Sequence, residues 1–202
     1  MQRGKTHLFM CAFGVLALLL SGPANAGESG AATIEELVEY CKEMTSLSDL
    51  VPMIHPDDQA TFGMGISLMG AFAPMMAIPD DATFEEQEAL GNKLGAEFEA
   101  LEAKHGLREP PEDMPGADSP EGMAMRARYM FEGVDVAAFV ADMEEWLKEV
   151  AGDAMSGGGM PDLSELSADS FQVDGDVATG EMDGKPVELI RSDGRWYLKI
   201  DM

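Results

Sequence analysis

Cysteine, histidine and positive charge are all scarce in this chain of 202 residues. It holds 2 Cys, 3 His and 13 Lys+Arg against 38 Asp+Glu. Cys11 lies inside an N-terminal apolar run, so removal of that run leaves Cys41 alone and excludes an intrachain disulfide. The same step leaves two histidines, His55 and His105, in no metal-pair spacing such as HExxH. No G-x-S-x-G, P-loop or dinucleotide fingerprint occurs. Gly157-Gly158-Gly159 lacks a following Lys and reads as linker. Excess negative charge repels nucleic-acid phosphates and anionic lipid head groups, which argues against both as partners.

What is present begins with a tripartite leader. Arg3 and Lys5 form a basic start, Leu8 to Leu20 an apolar stretch, and Ala24-Asn25-Ala26 a small-x-small cleavage site. The reading is a signal peptide over 1–26, cut after Ala26, and a periplasmic or secreted mature chain over 27–202. The apolar run is short for a membrane anchor. The leader holds two of the 13 basic residues and none of the 38 acidic ones, so the formal charge falls from −25 to −27 on cleavage.

The mature part reads as one α+β domain, helical over 33–150, with a Gly-rich connection at 152–161 and a β-meander at 166–202. Thr33-Ile-Glu-Glu36 and Thr83-Phe-Glu-Glu86 fit capping boxes. Pro56, Asp57 and Asp58 suit the first turn of another helix. Leu90, Leu94, Phe98 and Leu101 form an apolar stripe that ends at Gly106. Residues 109–121 are Pro-rich and acidic and read as an exposed loop, with a short helix at 123–131. Asp135 opens a last helix whose face carries Val136, Phe139, Val140, Met143, Leu147 and Val150. Cys41 shares an apolar face with Ile34, Leu37, Val38, Met44 and Leu47, which fits a buried, inert thiol.

Residues 60–78 carry no charge. Their length would permit a membrane span, but Gly63, Gly65, Gly70 and Pro74 lower helix propensity, and both flanks are acidic without Lys or Arg anchors. The expectation is a central buried helix ending near Ala73, with Phe62, Met69 and Phe72 inside. Asp-Gly at 174–175, 183–184 and 193–194, between strand-length runs, predicts a four-stranded antiparallel meander with type I′ turns. Alternation on the last strand sends Trp196, Leu198 and Ile200 one way and Tyr197, Lys199 and Asp201 the other, with one face packed and one partly wet. Trp196 is expected to pack on the Phe139/Met143/Leu147 stripe.

Three motifs then identify a resemblance. Gly175-Asp-Val-Ala-Thr-Gly180, Pro186-Val-Glu-Leu-Ile190 and Ser192-Asp-Gly-Arg-Trp-Tyr-Leu-Lys-Ile200 resemble the closing strands of the NTF2-like superfamily. The likeness is greatest to small secreted bacterial members with a DUF4878-type ending. Residues 35–58 resemble the family's opening helices. The resemblance implies a curved sheet wrapped on helices, a whole or partial NTF2-like/cystatin-like cone, often with a pocket. That family holds both enzymes and binders, so fold does not carry function.

The chemistry is therefore read from the residues. The mature chain keeps 15 of the 17 methionines once Met1 and Met10 are lost. Thioethers suit Cu(I), and Met64, Met69, Met75, Met76, Met123 and Met125 are the candidates. They lack neighbouring His and read as flexible core filler. Asp174, Asp176 and Asp183 read as hairpin residues, since no EF-hand loop pattern surrounds them. No cofactor and no metal are assigned. The leading expectation is a non-catalytic exported domain that binds a small apolar ligand or an envelope protein, through Phe62, Met69, Phe72, Trp146 and Trp196. The rival is an NTF2-like isomerase or dehydratase with an acid–base pair, such as His55 with Asp57 or Asp58. A structural part of an envelope complex is a third.

N-terminal sequencing of the exported protein is expected to begin at Gly27. Recovery of Met1 on exported protein would sink the cleavage reading.

Overall fold

A computed structural model describes residues 29–79, 81–114, 119–151, 166–182 and 185–200. The expected signal peptide over 1–26, the expected connection at 152–161 and the expected Asp183-Gly184 turn lie outside these residues. Among them, six α-helices precede one four-stranded antiparallel sheet, an α+β arrangement. The helices are α1 (Ile34–Glu43), α2 (Leu47–Leu50), α3 (Pro56–Ala77), α4 (Phe84–His105), α5 (Pro120–Met130) and α6 (Val136–Ala151). The strands are β1 (Gln172–Asp174), β2 (Val177–Met182), β3 (Lys185–Ser192) and β4 (Arg195–Leu198), in spatial order β1-β2-β3-β4.

The helix starts follow local chemistry. Thr83 and Glu86 make a reciprocal capping box at α4. At α1 only half of the expected box forms. Thr33 Oγ1 accepts from the Glu36 N–H, but the Glu36 carboxylate reaches past Thr33 to the Ala32 N–H at 3.0 Å. Ser46 and Asp49 form a full box on the one-turn helix α2. Gly106 ends α4 at φ 75°, a left-handed conformation that glycine adopts without Cβ strain. The Asp135 carboxylate accepts from the Ala138 N–H at 3.1 Å and opens α6.

Two cores result. In the helical core, Met64, Ile66 and Ala73 of α3 meet Leu94 of α4, Ala127 of α5 and Phe139, Val140, Met143, Trp146 and Leu147 of α6. In the sheet core, Ile34, Leu37, Val38 and Cys41 of α1 lie against Phe171, Ala178, Leu189 and Trp196. Trp196 is thus buried, as its alternation requires, but its packing differs from expectation. It meets α1 and the sheet, not the Phe139/Met143/Leu147 stripe, which belongs to the helical core. Periodicity shows which face of an element is apolar but not which neighbour covers it.

Three further local readings are corrected. Helix α3 runs through Pro74 to Ala77. Proline deletes one hydrogen bond and crowds the preceding turn, but Ala73 beside it is fully buried and packing holds the turn. Tyr197 is buried, not wet. Its ring meets His55 edge-on at 5.5 Å between centroids, and its hydroxyl donates to the Ser29 carbonyl at 3.2 Å. Finally, the first hairpin pairs Asp174 with Val177, so Gly175-Asp176 are its central residues, and only Gly175 has positive φ. The last hairpin has the expected form, with Asp193 at φ 51° and Gly194 at φ 80° between paired Ser192 and Arg195.

At Gly70 side chains of α4 and α6 lie close against the α3 backbone. A Cβ there would meet the Met143 methyl and lie 2.6 Å from the Phe98 ring. On α4, Gly91 and Gly95 have nothing within 4 Å of such a Cβ. Gly70→Ala is expected to lower stability by about 1–2 kcal/mol, overpacking outweighing the helix-propensity gain. Gly91→Ala and Gly95→Ala are expected to raise it by about 0.5–1 kcal/mol each. Urea midpoints check both signs.

Candidate functional site

The residues expected to line one pocket do not converge. Phe62 is half-buried against the helical core. Trp146 belongs to the helical core and Trp196 to the sheet core. Met69 and Phe72, expected inside, are 38% and 59% exposed. The reason lies in the helix itself. Residues 60–78 are uncharged all round, so no polar face marks the side that turns outward.

The outward side has a regular composition. Leu68, Ala71, Phe72 and Met75 recur at i, i+3, i+4 and i+7, the spacing of a single helix face. All four are exposed, Leu68 at 49% and Met75 at 72%. Met69 sits beside them. The opposite side of the same helix carries Ile66, Gly70 and Ala73, all buried. Helix α3 packs on α4, α5 and α6, and these contacts leave the Leu68–Met75 face open. Fully burying a Leu, Phe or Met side chain is worth roughly 1.5–3 kcal/mol, so among the described residues this open face is the candidate contact surface.

The face runs into the α3–α4 turn. Pro79, Asp81, Ala82, Glu86 and Leu90 border a shallow cleft of about 490 Å³ there. Hydrogen bonds from the Thr83 backbone N–H and hydroxyl hold the Glu86 carboxyl below its ordinary pKa, so it stays charged. Helix α3 has no basic residue in its last turn, so its terminal carbonyls add uncompensated negative character. A second cleft, of about 430 Å³, is bordered by Glu99, Glu102, Leu107, Arg108, Glu109 and Met130. Neither is a closed apolar cavity.

The polar residues singled out for chemistry sit in structural contacts. His55 caps α3, its Nδ1 accepting from the Asp57 N–H at 3.4 Å. The Asp58 carboxylate accepts from the Ile200 N–H at 3.3 Å. Among the described residues the closest His–carboxylate pair is elsewhere. His105 Nε2 lies 2.6 Å from Asp142 Oδ2, which Lys104 Nζ also approaches at 2.6 Å. The His105 ring rests edge-on against Phe139, and among the described residues no hydroxyl or thiol is hydrogen-bonded to it. The pair is separated by 37 positions, and no sequence spacing announces it. Burial pushes the Cys41 thiol up to about 11, which leaves it protonated and unreactive at neutral pH. Among the described residues no group of three or more His, Cys, Asp or Glu is placed to hold a metal ion, and no helix is long and apolar enough to cross a membrane.

The sequence singles out Met69 and Phe72 but places them inside; it does not single out Leu68, and it marks Asp81 and Glu86 only as an acidic flank and a capping residue. The i, i+3, i+4, i+7 spacing of Leu68 to Met75 was available, but it competed with equally apolar spacings on the other side. Comparison with known proteins returns no match, whether by family model, by curated protein or by solved structure.

The Lys104–Asp142–His105 cluster ties the end of α4 to α6 and sets a pH dependence. Hydrogen bonds from Lys104 and then His105 hold the Asp142 carboxyl below its ordinary value of 3.8. A depressed native pKa contributes stability above the unfolded value, and that stability is lost as pH falls through the native value. Asp142→Asn is therefore expected to be less stable than wild type at neutral pH. The difference should close as pH drops below 3.8. Urea titrations of both proteins at stepped acid pH measure the gap.

Proposed function

We propose that the protein is exported to the cell envelope and acts there as a non-catalytic binding domain whose partner is another protein. The observation that carries this reading is the open Leu68/Ala71/Phe72/Met75 face of α3. Helix-in-groove recognition uses anchors at this spacing. Methionine suits it, because the thioether side chain adapts to irregular surfaces. Of the two expected occupants, the protein partner is favoured by the open face over a small apolar ligand, and the two clefts among the described residues are shallow and edged by carboxylates. The leader supports export. Kinship with the NTF2-like superfamily is proposed on the closing-strand motifs, with support from the way α1 packs on the sheet.

The test is site-specific photocrosslinking in the native host. Benzoylphenylalanine replaces Phe72 in one strain and Val173, which is as exposed at 58%, in another. A discrete adduct from position 72 and none from position 173 is expected. No adduct at 72, or the same adducts from both, would remove the reading.

A further inference from the structure

We infer that the partner segment docking on α3 is a basic amphipathic helix. This rests on the binding reading above and specifies its chemistry. The apolar anchors span two turns of helix, from Leu68 to Met75, which matches one face of a short partner helix. The chain around them is strongly anionic, with a formal charge of −25. Asp58 and Asp80 bound the uncharged run in sequence. At the C-terminal end of the face three sources of negative potential meet. Asp81 and Glu86 edge the cleft of about 490 Å³, and the last turn of α3 has no cation of its own. Lysine or arginine at one end of a partner helix would reach this cleft while its apolar face covers Phe72 and Met75.

Charge decides between candidate occupants. A second copy would bring two anionic bodies together, at a repulsive cost that salt must screen. An anionic lipid surface meets the same repulsion. A cationic helix is steered toward the molecule from a distance and gains at contact. The chain has no charged residue between positions 59 and 79, so apolar anchoring and charge pairing occupy separate parts of the site.

The experiment uses the mature chain and two synthetic peptides of about 18 residues, both of leucine and lysine. One is ordered as an amphipathic helix. The other has the same composition in a scrambled order, so it shares the charge but not the stripe. Calorimetric titration is expected to show the ordered peptide binding at least about tenfold more tightly than the scrambled one. Phe72→Ser with Met75→Ser should abolish that preference. Both side chains are exposed, and an unchanged urea midpoint confirms the fold. Asp81→Lys should weaken the ordered peptide by about threefold or more, and added salt should weaken both peptides. Equal affinities for the two peptides, or a preference that survives the double substitution, would overturn the inference. So would sedimentation showing a dimer of the mature chain that strengthens with salt and is lost in the double variant, because a second copy would then be the occupant. A crosslink at position 72 without peptide preference leaves the binding reading standing and removes the basic helix alone. Absence of the crosslink removes the binding reading itself.

Discussion

The outer edge of β4 joins the two halves of the molecule. A strand edge presents unpaired N–H and C=O groups that need partners. Here the partners come from two separate segments. Ala31 exchanges both backbone hydrogen bonds with Trp196, at 3.0 and 2.7 Å, and the His55 N–H donates to the Leu198 carbonyl at 2.9 Å. Between them, the Gly30 N–H donates to the Pro52 carbonyl at 2.9 Å. The segment from Leu47 to Asp58 is thereby held in place, and its side chains divide. Leu47 and Val51 enter the helical core, Met53 enters the sheet core, and Ile54 is fully buried at the seam. The direction in which α3 leaves the sheet follows from this seam, because His55 is both a partner of β4 and the cap of α3.

Once α3 is aimed, its neighbours follow from size. Gly63 and Gly70 let Phe131, Phe98 and Met143 approach the helix backbone closely. Three helices then cover one side of α3, and the chain supplies no further described helix for the Leu68–Met75 face. The titratable groups near these elements make contacts within the scaffold. His55 and Asp58 hold the seam, and His105, Lys104 and Asp142 bind α4 to α6. What the surface offers for function is an uncharged face on an anionic body, together with a carboxylate-edged cleft at its end.

Helix and strand identities were legible in the sequence because they depend on neighbours a few positions apart. Thr83 with Glu86, Asp135 before Val136, Gly106 after His105 and the Asp193-Gly194 turn are all local hydrogen-bond or φ requirements. The uncharged run at 60–78 was equally visible, as was the excess of acid. Together these determined an α+β chain with helices first and a meander last.

Only the tertiary structure decided which apolar face met which. Trp196 had to be buried by alternation, but α1 rather than α6 received it, because the β4 edge holds the N-terminal segment beside the sheet. Tyr197 stood on the side expected to be wet, and the same segment covered it through Gly30 and Ser29. On α3 no residue pattern distinguished inside from outside. Phe72 and Met75 were left exposed because α4, α5 and α6 had packed around the glycine-bearing side. The hydrophobic effect is non-directional. A sequence therefore sets how much apolar surface must be buried along each element, while chain connectivity and close approach set which part of it is left for a partner.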